Sequence, residues 1–241
     1  MKVNIIGSGN VAFHLLKAFR DAGLEDVYSV EPHSLQGLHT DSDVSLIAVS
    51  DAAIPEVIAH LPEMKGIIAH TSGSTPLFVF EESGIRNFGV FYPMQTFSKS
   101  KPLDYKKIPF YVEGSDKEAV QTLFILASII SPIVRYADSL QRRALHIAAV
   151  LSCNFVNHLW TLSSLFLKEN GLDFADFLPL IEETLDKVKT LSPKESQTGP
   201  AVRGDMNIVH SHLDLLNDKP HIKEIYRLLS ESIYNIHHNH E

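Results

Sequence analysis

A short, mostly apolar run that leads into a glycine-rich turn constrains the fold of this chain more than any other feature. Residues 3–12 read VNIIGSGNVA, so a run typical of a buried parallel strand is followed at once by the pattern G-x-G-x-x-A. Gly7 permits a tight turn, Gly9 has no Cβ to hold a phosphate away from the backbone, and Ala12 lets the next helix pack close to the sheet. The pattern predicts a dinucleotide-binding type of strand, turn and helix.

The helix after this turn is expected to run from Asn10 to Ala22, because apolar residues recur at helical spacing and Gly23 follows. At its start, free N–H groups and the positive end of the helix dipole would meet a diphosphate. The residues expected to hold that diphosphate are Gly7, Ser8, Gly9, Asn10 and Val11. The alternative is a Rossmann-like domain that keeps the turn for packing and binds no nucleotide.

The pattern of elements changes once along the chain, near Asp138. Before it, strand and helix alternate, with strands predicted at 3–6, 27–30, 44–49, 66–69, 87–91, 108–112 and 133–136 and helices at 10–22, 53–61 and 117–130. After it, the periodicity is helical, with helices predicted at 139–169, 173–190, 205–216 and 222–237. The sequence therefore predicts an α/β chain, with a Rossmann-like parallel sheet in residues 1–138 and an all-α domain in residues 139–241.

The adenine side of the expected nucleotide site is short. Glu31 follows the second strand about 20 residues after the glycine turn, where an acid accepts hydrogen bonds from a ribose and favours NAD over NADP. The alternative is that Glu31, beside Pro32, is simply solvated. The segment 32–42 has room for a turn or a short helix but hardly for the usual helix and strand, so the domain is abbreviated after strand 2.

Polar residues follow two later strands of the predicted sheet. Ser50 and Asp51 follow one strand, and Thr71 and Ser72 follow the next, at the carboxyl edge where open α/β sheets bind ligands. These four residues are expected to border the nicotinamide. Two alternatives stay open, because Asp51 is also placed to cap a helix and the hydroxyls of the segment 70–74 also suit turn chemistry.

The first long helix of the helical part carries three polar residues in an apolar setting: His146, Asn154 and Asn157. In a regular helix, Asn154 lies about 80° and Asn157 about 20° from His146, so the three share one stripe. They either satisfy one another's hydrogen bonds or face the nicotinamide, with His146 giving or taking a proton.

A break between helices contains a single arginine. Gly and Pro interrupt the helix in the segment 197–205, and Asp205 is placed to cap the next helix. Arg203 is then left either to clamp a substrate carboxylate with two parallel hydrogen bonds or to pair with Asp205.

Five segments together resemble a known group of proteins: GSGNVA at 7–12, HTSG at 70–73, PMQTF at 93–97, HIAA at 146–149 with Asn154, and TGPAVRGD at 198–205. They look like the bacterial Rossmann-like proteins with a C-terminal helical domain of unknown function. That group is similar to NADP oxidoreductases of the deazaflavin-coenzyme type, pyrroline-carboxylate reductases and β-hydroxyacid dehydrogenases. The resemblance implies a Rossmann domain, an all-α domain that forms a homodimer, and an active crevice between the two domains.

Three features depart from those relatives. Tyr92 stands where the group usually has His before the run at 93–97, and the long helix has no lysine before Lys168. His146 is therefore the nearest substitute for the lysine of the β-hydroxyacid dehydrogenases. The third departure is the short segment after Glu31.

Composition and charge exclude some functions. The chain has 241 residues and a formal charge of −8, which argues against a general nucleic-acid binder. Cys153 is the only cysteine, so no intrachain disulfide forms, and the N-terminus has no signal-peptide pattern. The longest apolar run is too short to span a bilayer, and we expect a cytoplasmic protein. No H-x-x-x-H or H-E-x-x-H spacing occurs, so a metal-dependent hydrolase ranks last and no metal site is expected.

These observations support two main hypotheses. The first is an NAD(P)-dependent oxidoreductase that transfers hydride to or from a small carbonyl, imine or hydroxy compound in the crevice between the domains. NADP or NAD would be the cofactor, and His146, Asn154 and Arg203 would handle the substrate. The second is a dinucleotide-binding sensor or dimeric interaction protein without catalysis, which the missing lysine, Tyr92 and the short adenine side favour.

Overall fold

The computed structural model describes residues 1–238, which form two compact units, residues 1–155 and residues 156–238. Strands and helices alternate in the first unit. Its elements are β1 (Val3–Ile6), α1 (Asn10–Asp21), β2 (Val27–Val30), β3 (Val44–Ile47), α2 (Ile54–His60), β4 (Ile67–His70), β5 (Phe88–Pro93), β6 (Phe110–Gly114), α3 (Lys117–Ile130), β7 (Val134–Tyr136) and α4 (Ser139–Ala149). A π-helical turn (Val150–Asn154) follows, and then come the helices α5 (Phe155–Glu169), α6 (Leu178–Thr190), α7 (Met206–Leu215) and α8 (Pro220–His238).

The seven strands form one sheet in the order β2-β1-β3-β4-β5-β6-β7. Strands β1 to β5 are parallel, whereas β6 pairs antiparallel with β5 and parallel with β7. A parallel neighbour needs a crossover, usually a helix, and the connection 94–109 contains only a single 3-10 turn. The predicted Rossmann-like α/β fold is therefore confirmed, with β6 and β7 reversed at one side of the sheet.

Helix α1 covers the sheet beside the glycine turn. Its buried side chains include Leu15 and Phe19, which pack in one core with Val3 and Ile5. Burying a side chain of this size contributes about 1.5–3 kcal/mol. Gly23 ends the helix as expected, because it has a φ of +85° and its N–H donates to the carbonyl of Arg20.

The predicted abbreviation after β2 is present. Residues 31–43 contain neither a helix nor a strand. Asn4 of β1 is fully buried, and its side chain donates 2.9 Å hydrogen bonds to the carbonyl of His39 and to the hydroxyls of Ser42 and Ser45. Its Oδ1 accepts from the N–H of His39. One amide in the first strand therefore fixes the short segment that replaces the missing helix.

The first long helix is interrupted, which corrects the prediction of one regular helix over 139–169. It begins with a capping box in which Asp138 accepts from the N–H of Gln141 and the Gln141 side chain accepts from the N–H of Asp138. The π-helical turn at 150–154 then changes the spacing between helices α4 and α5. A π-turn holds more residues per turn than an α-helix, so the angles that placed His146, Asn154 and Asn157 on one stripe do not apply.

The second unit is helical and buries few apolar side chains. Within residues 156–238, the apolar side chains that are buried are those of Leu167, Ala201, Val209 and Leu216. Large apolar side chains are instead exposed on several helices, among them Trp160, Leu180, Leu185, Leu228 and Ile236. None of the helices in the part of the chain that the structure describes is long and apolar enough to cross a membrane.

Candidate functional site

The first glycine of the turn is required by packing. Gly7 has a φ of +140°, and a Cβ at this position would overlap the carbonyl oxygen of Ala48 beyond β3. The N–H of Gly7 donates to the carbonyl of Val30, and the N–H of Ala48 donates to that of Ile6. The turn is therefore pinned between the ends of strands β2 and β3.

The second glycine faces open space. Gly9 occupies the N-cap position of α1, no side chain caps this helix end, and a Cβ on Gly9 would have no neighbour within 4 Å. The first N–H groups of a helix have no partner within the helix. The turn therefore offers donors and room for a phosphate, and Gly9, unlike Gly7, is not demanded by packing.

A cavity of about 550 Å³ lies over this turn. It sits where the strand order reverses between β1 and β3, the position at which open α/β sheets bind ligands. The lining residues are Ser8, Gly9, Asn10, Val11, Pro32, His33, Ala48, Val49, Ser50, Ala53, Glu56, Val57 and His60. The cavity has the size of a ligand pocket, so the residues present fit part of a dinucleotide.

At the end of β2, the cavity is lined by Pro32 and His33, whereas Glu31 is exposed and absent from the lining. The backbone of Glu31 takes part in a turn, in which its N–H donates to the carbonyl of Gln36 and its carbonyl accepts from Leu35. From this strand end the cavity is therefore lined by Pro32 and the imidazole of His33, and the role of the Glu31 carboxylate stays a prediction.

At the end of β3, Ser50 lines the cavity and Asp51 is exposed beside it. The interpretation of Asp51 as a helix cap is wrong, because neither the 3-10 turn Asp51–Ala53 nor α2 is capped by a side chain. Pro55 lies in the first turn of α2 and fixes its backbone without a capping hydrogen bond.

At the end of β4, the hydroxyls are used for turn chemistry. The Oγ1 and the N–H of Thr71 both donate to the carbonyl of Ile47, at 3.3 and 3.1 Å. The Oγ of Ser72 accepts from the N–H groups of Ser74 and Thr75, at 3.0 and 2.9 Å. Of the two interpretations of the segment 70–74, the structure shows the turn, and its side chains shape the edge of the sheet.

His70, the last residue of β4, is a structural residue. It is fully buried, its ring stacks on Phe80 with a centroid distance of 5.7 Å, and its Nδ1 accepts from the N–H of Ser72. Burial, reinforced by the nearby Arg142 guanidinium, lowers the pKa of His70 to about 3. The imidazole is therefore neutral at physiological pH.

His146 lies against β5 and against the turn that follows β4. Its Nδ1 lies 3.4 Å from the hydroxyl of Tyr92 on β5, and the two rings cross edge to face. A Cβ on Gly73 would lie 2.8 Å from both His146 Nδ1 and Tyr92 Cζ. Tyr92 is buried and its pKa is raised chiefly by that burial, whereas His146 is half-buried. The structure thus brings together His146, Tyr92 and the backbone of Gly73.

A buried ion pair, which no local sequence pattern indicates, holds the helix that carries His146. Arg142 is one turn before His146 and 1% exposed, and its guanidinium pairs with the Glu113 carboxylate on β6. Nη2 of Arg142 donates to the carbonyl of Thr75, and the N–H and hydroxyl of Ser139 donate to Glu113. These bonds tie α4 to both β6 and the turn after β4.

The side chain of Lys99, which no sequence motif marks as a site residue, reaches the glycine turn. Nζ of Lys99, in the loop between β5 and β6, donates to the carbonyl of Ser8 at 2.8 Å. It places a positive charge beside the N-terminus of α1. An exposed lysine in an irregular loop carries no periodic signal, which is why the sequence did not single it out.

The other two residues predicted to handle the substrate have exposed side chains. Asn154 is the last residue of the π-turn, and Arg203 lies in the second unit, in a run of turns before α7. Among the described residues, no ion pair links Arg203 to Asp205. Asp205 occupies the N-cap position of α7, but its side chain makes no capping bond, so that expectation is wrong. The φ of 68° at Gly204 supplies the turn instead.

Comparisons with known proteins extend over nearly the whole chain. A crystal structure from Bacteroides fragilis, named a "putative NADP oxidoreductase", is 37% identical, covers 97% of this chain and 98% of its own, and has a TM-score of 0.89. Protein TM1727 from Thermotoga maritima is 24% identical, covers 95% and 98%, and has a TM-score of 0.75. Pyrroline carboxylate reductase from Plasmodium falciparum, solved with NADP bound, is 12% identical, covers 98% of both chains, and has a TM-score of 0.60.

The proteins from Thermotoga maritima and Plasmodium falciparum share the fold of this chain. No curated protein matches the sequence of this chain. The model of one protein family, described as "Domain of unknown function (DUF2520)", matches residues 108–233, just over half of the 241 residues. With this match and the 37% identity to the Bacteroides fragilis protein, the chain belongs to the DUF2520 family.

Proposed function

We propose that this protein is an NAD(P)-dependent oxidoreductase that acts on a small carbonyl, imine or hydroxy compound. The observation that carries the proposal is the cavity over the glycine turn, on the same sheet edge as His146 and Tyr92. Strands β1 and β5 are three strand spacings apart, roughly 14 Å. An extended dinucleotide bound along this edge would thus lead from the glycine turn toward the imidazole.

The residues proposed to hold the diphosphate are Gly7, Ser8, Gly9, Asn10 and Val11, through the backbone of the turn and the start of α1. Ser50 and Asp51 would lie between this site and His146, at the end of β3. A bound nicotinamide cofactor would supply or accept the hydride. We propose NADP as the preferred form, because the similar Bacteroides fragilis protein is named for NADP and an imidazole, that of His33, lines the cavity at the end of β2.

His146 is the proposed proton donor or acceptor for the substrate oxygen or nitrogen. The hydroxyl of Tyr92 faces Nδ1, so the opposite ring nitrogen, Nε2, is the atom proposed to meet the substrate. Burial raises the pKa of Tyr92, which keeps its phenol protonated and able to donate to Nδ1. The neutral tautomer with a proton on Nε2 is then favoured, and it can donate to a carbonyl oxygen.

Several finer parts of the hypothesis stay predictions. They are the roles of Asn154 and Arg203 in substrate binding, a role for Glu31, Thr71 or Ser72 in cofactor binding, a cytoplasmic location, and the relation to enzymes of the deazaflavin-coenzyme type. Substitution of Arg203 by Lys and by Met tests its role, because a carboxylate clamp loses its paired geometry with either residue.

The first experiment is a thermal-shift titration with NAD, NADH, NADP and NADPH, followed by absorbance assays on a panel of carbonyls, imines and alcohols. A ligand at about 100 times its Kd adds about 2.7 kcal/mol of stability, which is easily measured. We expect the largest shift with NADPH or NADP. No shift with any of the four would contradict the proposal, and binding without turnover over the whole panel would favour the sensor hypothesis.

We also propose that a second copy of the chain covers the helical unit. The helices of residues 156–238 bury only a few apolar side chains, whereas Leu180 and Leu185 of α6 are more than half exposed. Extended apolar surface of this kind marks an interface more often than a free surface. Light scattering should show a dimer, and Glu at both leucines should give monomers, whereas Lys194→Glu should not. A wild-type monomer at high concentration would contradict this assignment.

A further inference from the structure

The loop between β5 and β6 is fixed against helix α1 by a buried histidine. His14 is 2% exposed, and its Nε2 donates to the carbonyl of Ser98 at 2.8 Å. Its Nδ1 lies 2.9 Å from the hydroxyl of Tyr105, the next ring along the loop. Since the Ser98 carbonyl can only accept, Nε2 carries a proton. The ring of Phe97 packs 5.2 Å from the imidazole. The residues on both sides of Lys99 are therefore held in place.

This anchoring leaves the side chain of Lys99 on the glycine turn, where it bonds to the carbonyl of Ser8. Within residues 1–238, no carboxylate lies at ion-pair distance from Lys99, whereas Lys107 of the same loop pairs with Asp104. A lysine ammonium has three donors on a flexible stem. One N–H of the Lys99 ammonium donates to the neutral carbonyl oxygen of Ser8. Among the described residues, the positive charge of Lys99 has no anionic partner.

We propose that Lys99 is a diphosphate-binding residue, which exchanges or shares its bond to Ser8 with a phosphate oxygen when a nucleotide occupies the cavity. The inference rests on the proposed function, since it assigns a residue to that same cofactor site. A hydrogen bond from an ammonium to a phosphate oxygen is shorter and stronger than one to a neutral carbonyl. The N–H groups at the start of α1 would hold the diphosphate from one side, and Lys99 from the loop side.

The ligand class follows from this chemistry. Lys99 would contact the diphosphate, which NADPH, NADH and ADP share, and it would make no contact with adenosine, which lacks phosphate. A residue that instead recognised the 2′-phosphate would separate NADPH from NADH. The position of Lys99 at Ser8, rather than at the end of β2 with His33, predicts an equal effect on both dinucleotides.

The test is isothermal titration of the wild type, Lys99→Met and the control Lys101→Met, an exposed lysine of the same loop, with NADPH, NADH, ADP and adenosine. We expect Lys99→Met to weaken NADPH, NADH and ADP by about tenfold each, as for a lost hydrogen bond to a charged group, and to leave adenosine unchanged. Lys99→Arg should restore part of the affinity. Raising the salt concentration should weaken ADP binding less in Lys99→Met than in the wild type.

Four results of this titration would contradict the assignment of Lys99, the proposed function, or both. Equal affinities of wild type and Lys99→Met for ADP would overturn the assignment of Lys99 and leave the proposed function standing. An effect on NADPH alone would also overturn it, in favour of the 2′-phosphate. A wild type that binds ADP but neither dinucleotide would overturn the proposed function, with Lys99 still tested on ADP. No binding of any phosphorylated ligand would overturn both.

Discussion

The hydroxyl oxygen of Tyr92 lies 3.4 Å from Nδ1 of His146, although 54 residues separate the two in the sequence. Tyr92 lies near the end of strand β5, and His146 lies on helix α4, which follows the last strand of the sheet in the chain. Only the fold therefore brings the two side chains together. The backbone of Gly73 fills the remaining space beside both rings. Tyr92 is therefore the partner that orients the imidazole ring of His146, and its hydroxyl should influence which ring nitrogen of His146 carries the proton.

Replacing Tyr92 by Phe should change the tautomer of His146, because it removes the hydroxyl that faces Nδ1. Nitrogen-15 NMR of labelled histidine should show less of the form with the proton on Nε2, and stability should change by about 1 kcal/mol or less. The matched control is Tyr111→Phe, whose ring lies 6.4 Å from that of Tyr92. Identical His146 shifts in wild type and Tyr92→Phe would refute the pairing.

His146→Ala should abolish turnover while leaving NADPH affinity within about twofold.

The buried pair of Arg142 and Glu113 predicts an asymmetric effect on stability. Arg142→Met or Glu113→Gln alone should cost about 3–5 kcal/mol, because each leaves a buried charge without its partner, whereas the double variant should cost much less. The exposed pair of Lys17 and Asp21 is the control, and Asp21→Asn should cost less than about 1 kcal/mol. Urea unfolding followed by circular dichroism measures all four. Additive losses in the double variant would contradict the coupling.

Because His70 is buried in its neutral form, we expect the folded protein to lose stability in mild acid. Its pKa is lowered to about 3 in the fold against an ordinary value of 6.5, so the unfolded chain binds the proton first as the pH falls. The contribution of His70 is therefore full above pH 6.5 and is lost progressively as the pH falls from 6.5 toward 3.

The measurement for His70 is the free energy of unfolding from pH 7 to pH 4. His70→Asn keeps an acceptor for the N–H of Ser72 and should flatten the profile relative to the wild type. The exposed His210→Asn should follow the wild type. A profile for His70→Asn that parallels the wild type would show that His70 is not the group responsible.

The two glycines of the turn should respond oppositely to a methyl group. Gly7→Ala places a Cβ against the carbonyl of Ala48 at a φ of +140°, so it should lower stability by several kcal/mol or prevent folding. Gly9→Ala meets no neighbour within 4 Å, so its melting temperature should stay close to that of the wild type. Its affinity for ADP should fall, because the methyl group occupies space proposed for a phosphate. Unchanged ADP affinity in Gly9→Ala would count against the site.

The sequence predicts the elements of this fold well because their signals are local. The glycine turn, the helix stop at Gly23 and the shortened segment after β2 each follow from a few neighbouring residues. The reversal of β6 is not local, because it depends on where a long irregular connection leads. The π-turn at 150–154 was also missed, since a helix that is apolar nearly all round gives no phase by which an extra residue could be noticed.

In the candidate site, too, the features with a local sequence signal could be predicted and the long-range contacts could not. The residues of the turn were predicted from the motif, and the cavity lies over most of them. The hydrogen bond between Lys99 and Ser8 joins residues 91 apart, and the pair of Arg142 and Glu113 joins residues 29 apart. A single sequence gives no indication of such contacts, because each partner is an ordinary polar residue in its own neighbourhood. The hydroxyls of Thr71 and Ser72 bond to the backbone of their turn, and their role in cofactor binding stays a prediction.

Both outer strands of the sheet are short. The strand β2 has four residues and β7 has three, and β7 carries Arg135 in its middle position. A long, flat outer strand offers a row of unpaired backbone groups to which another molecule can add a strand, and short or charged outer strands remove that template. Fibril-like growth from the folded state is therefore disfavoured at both ends of the sheet.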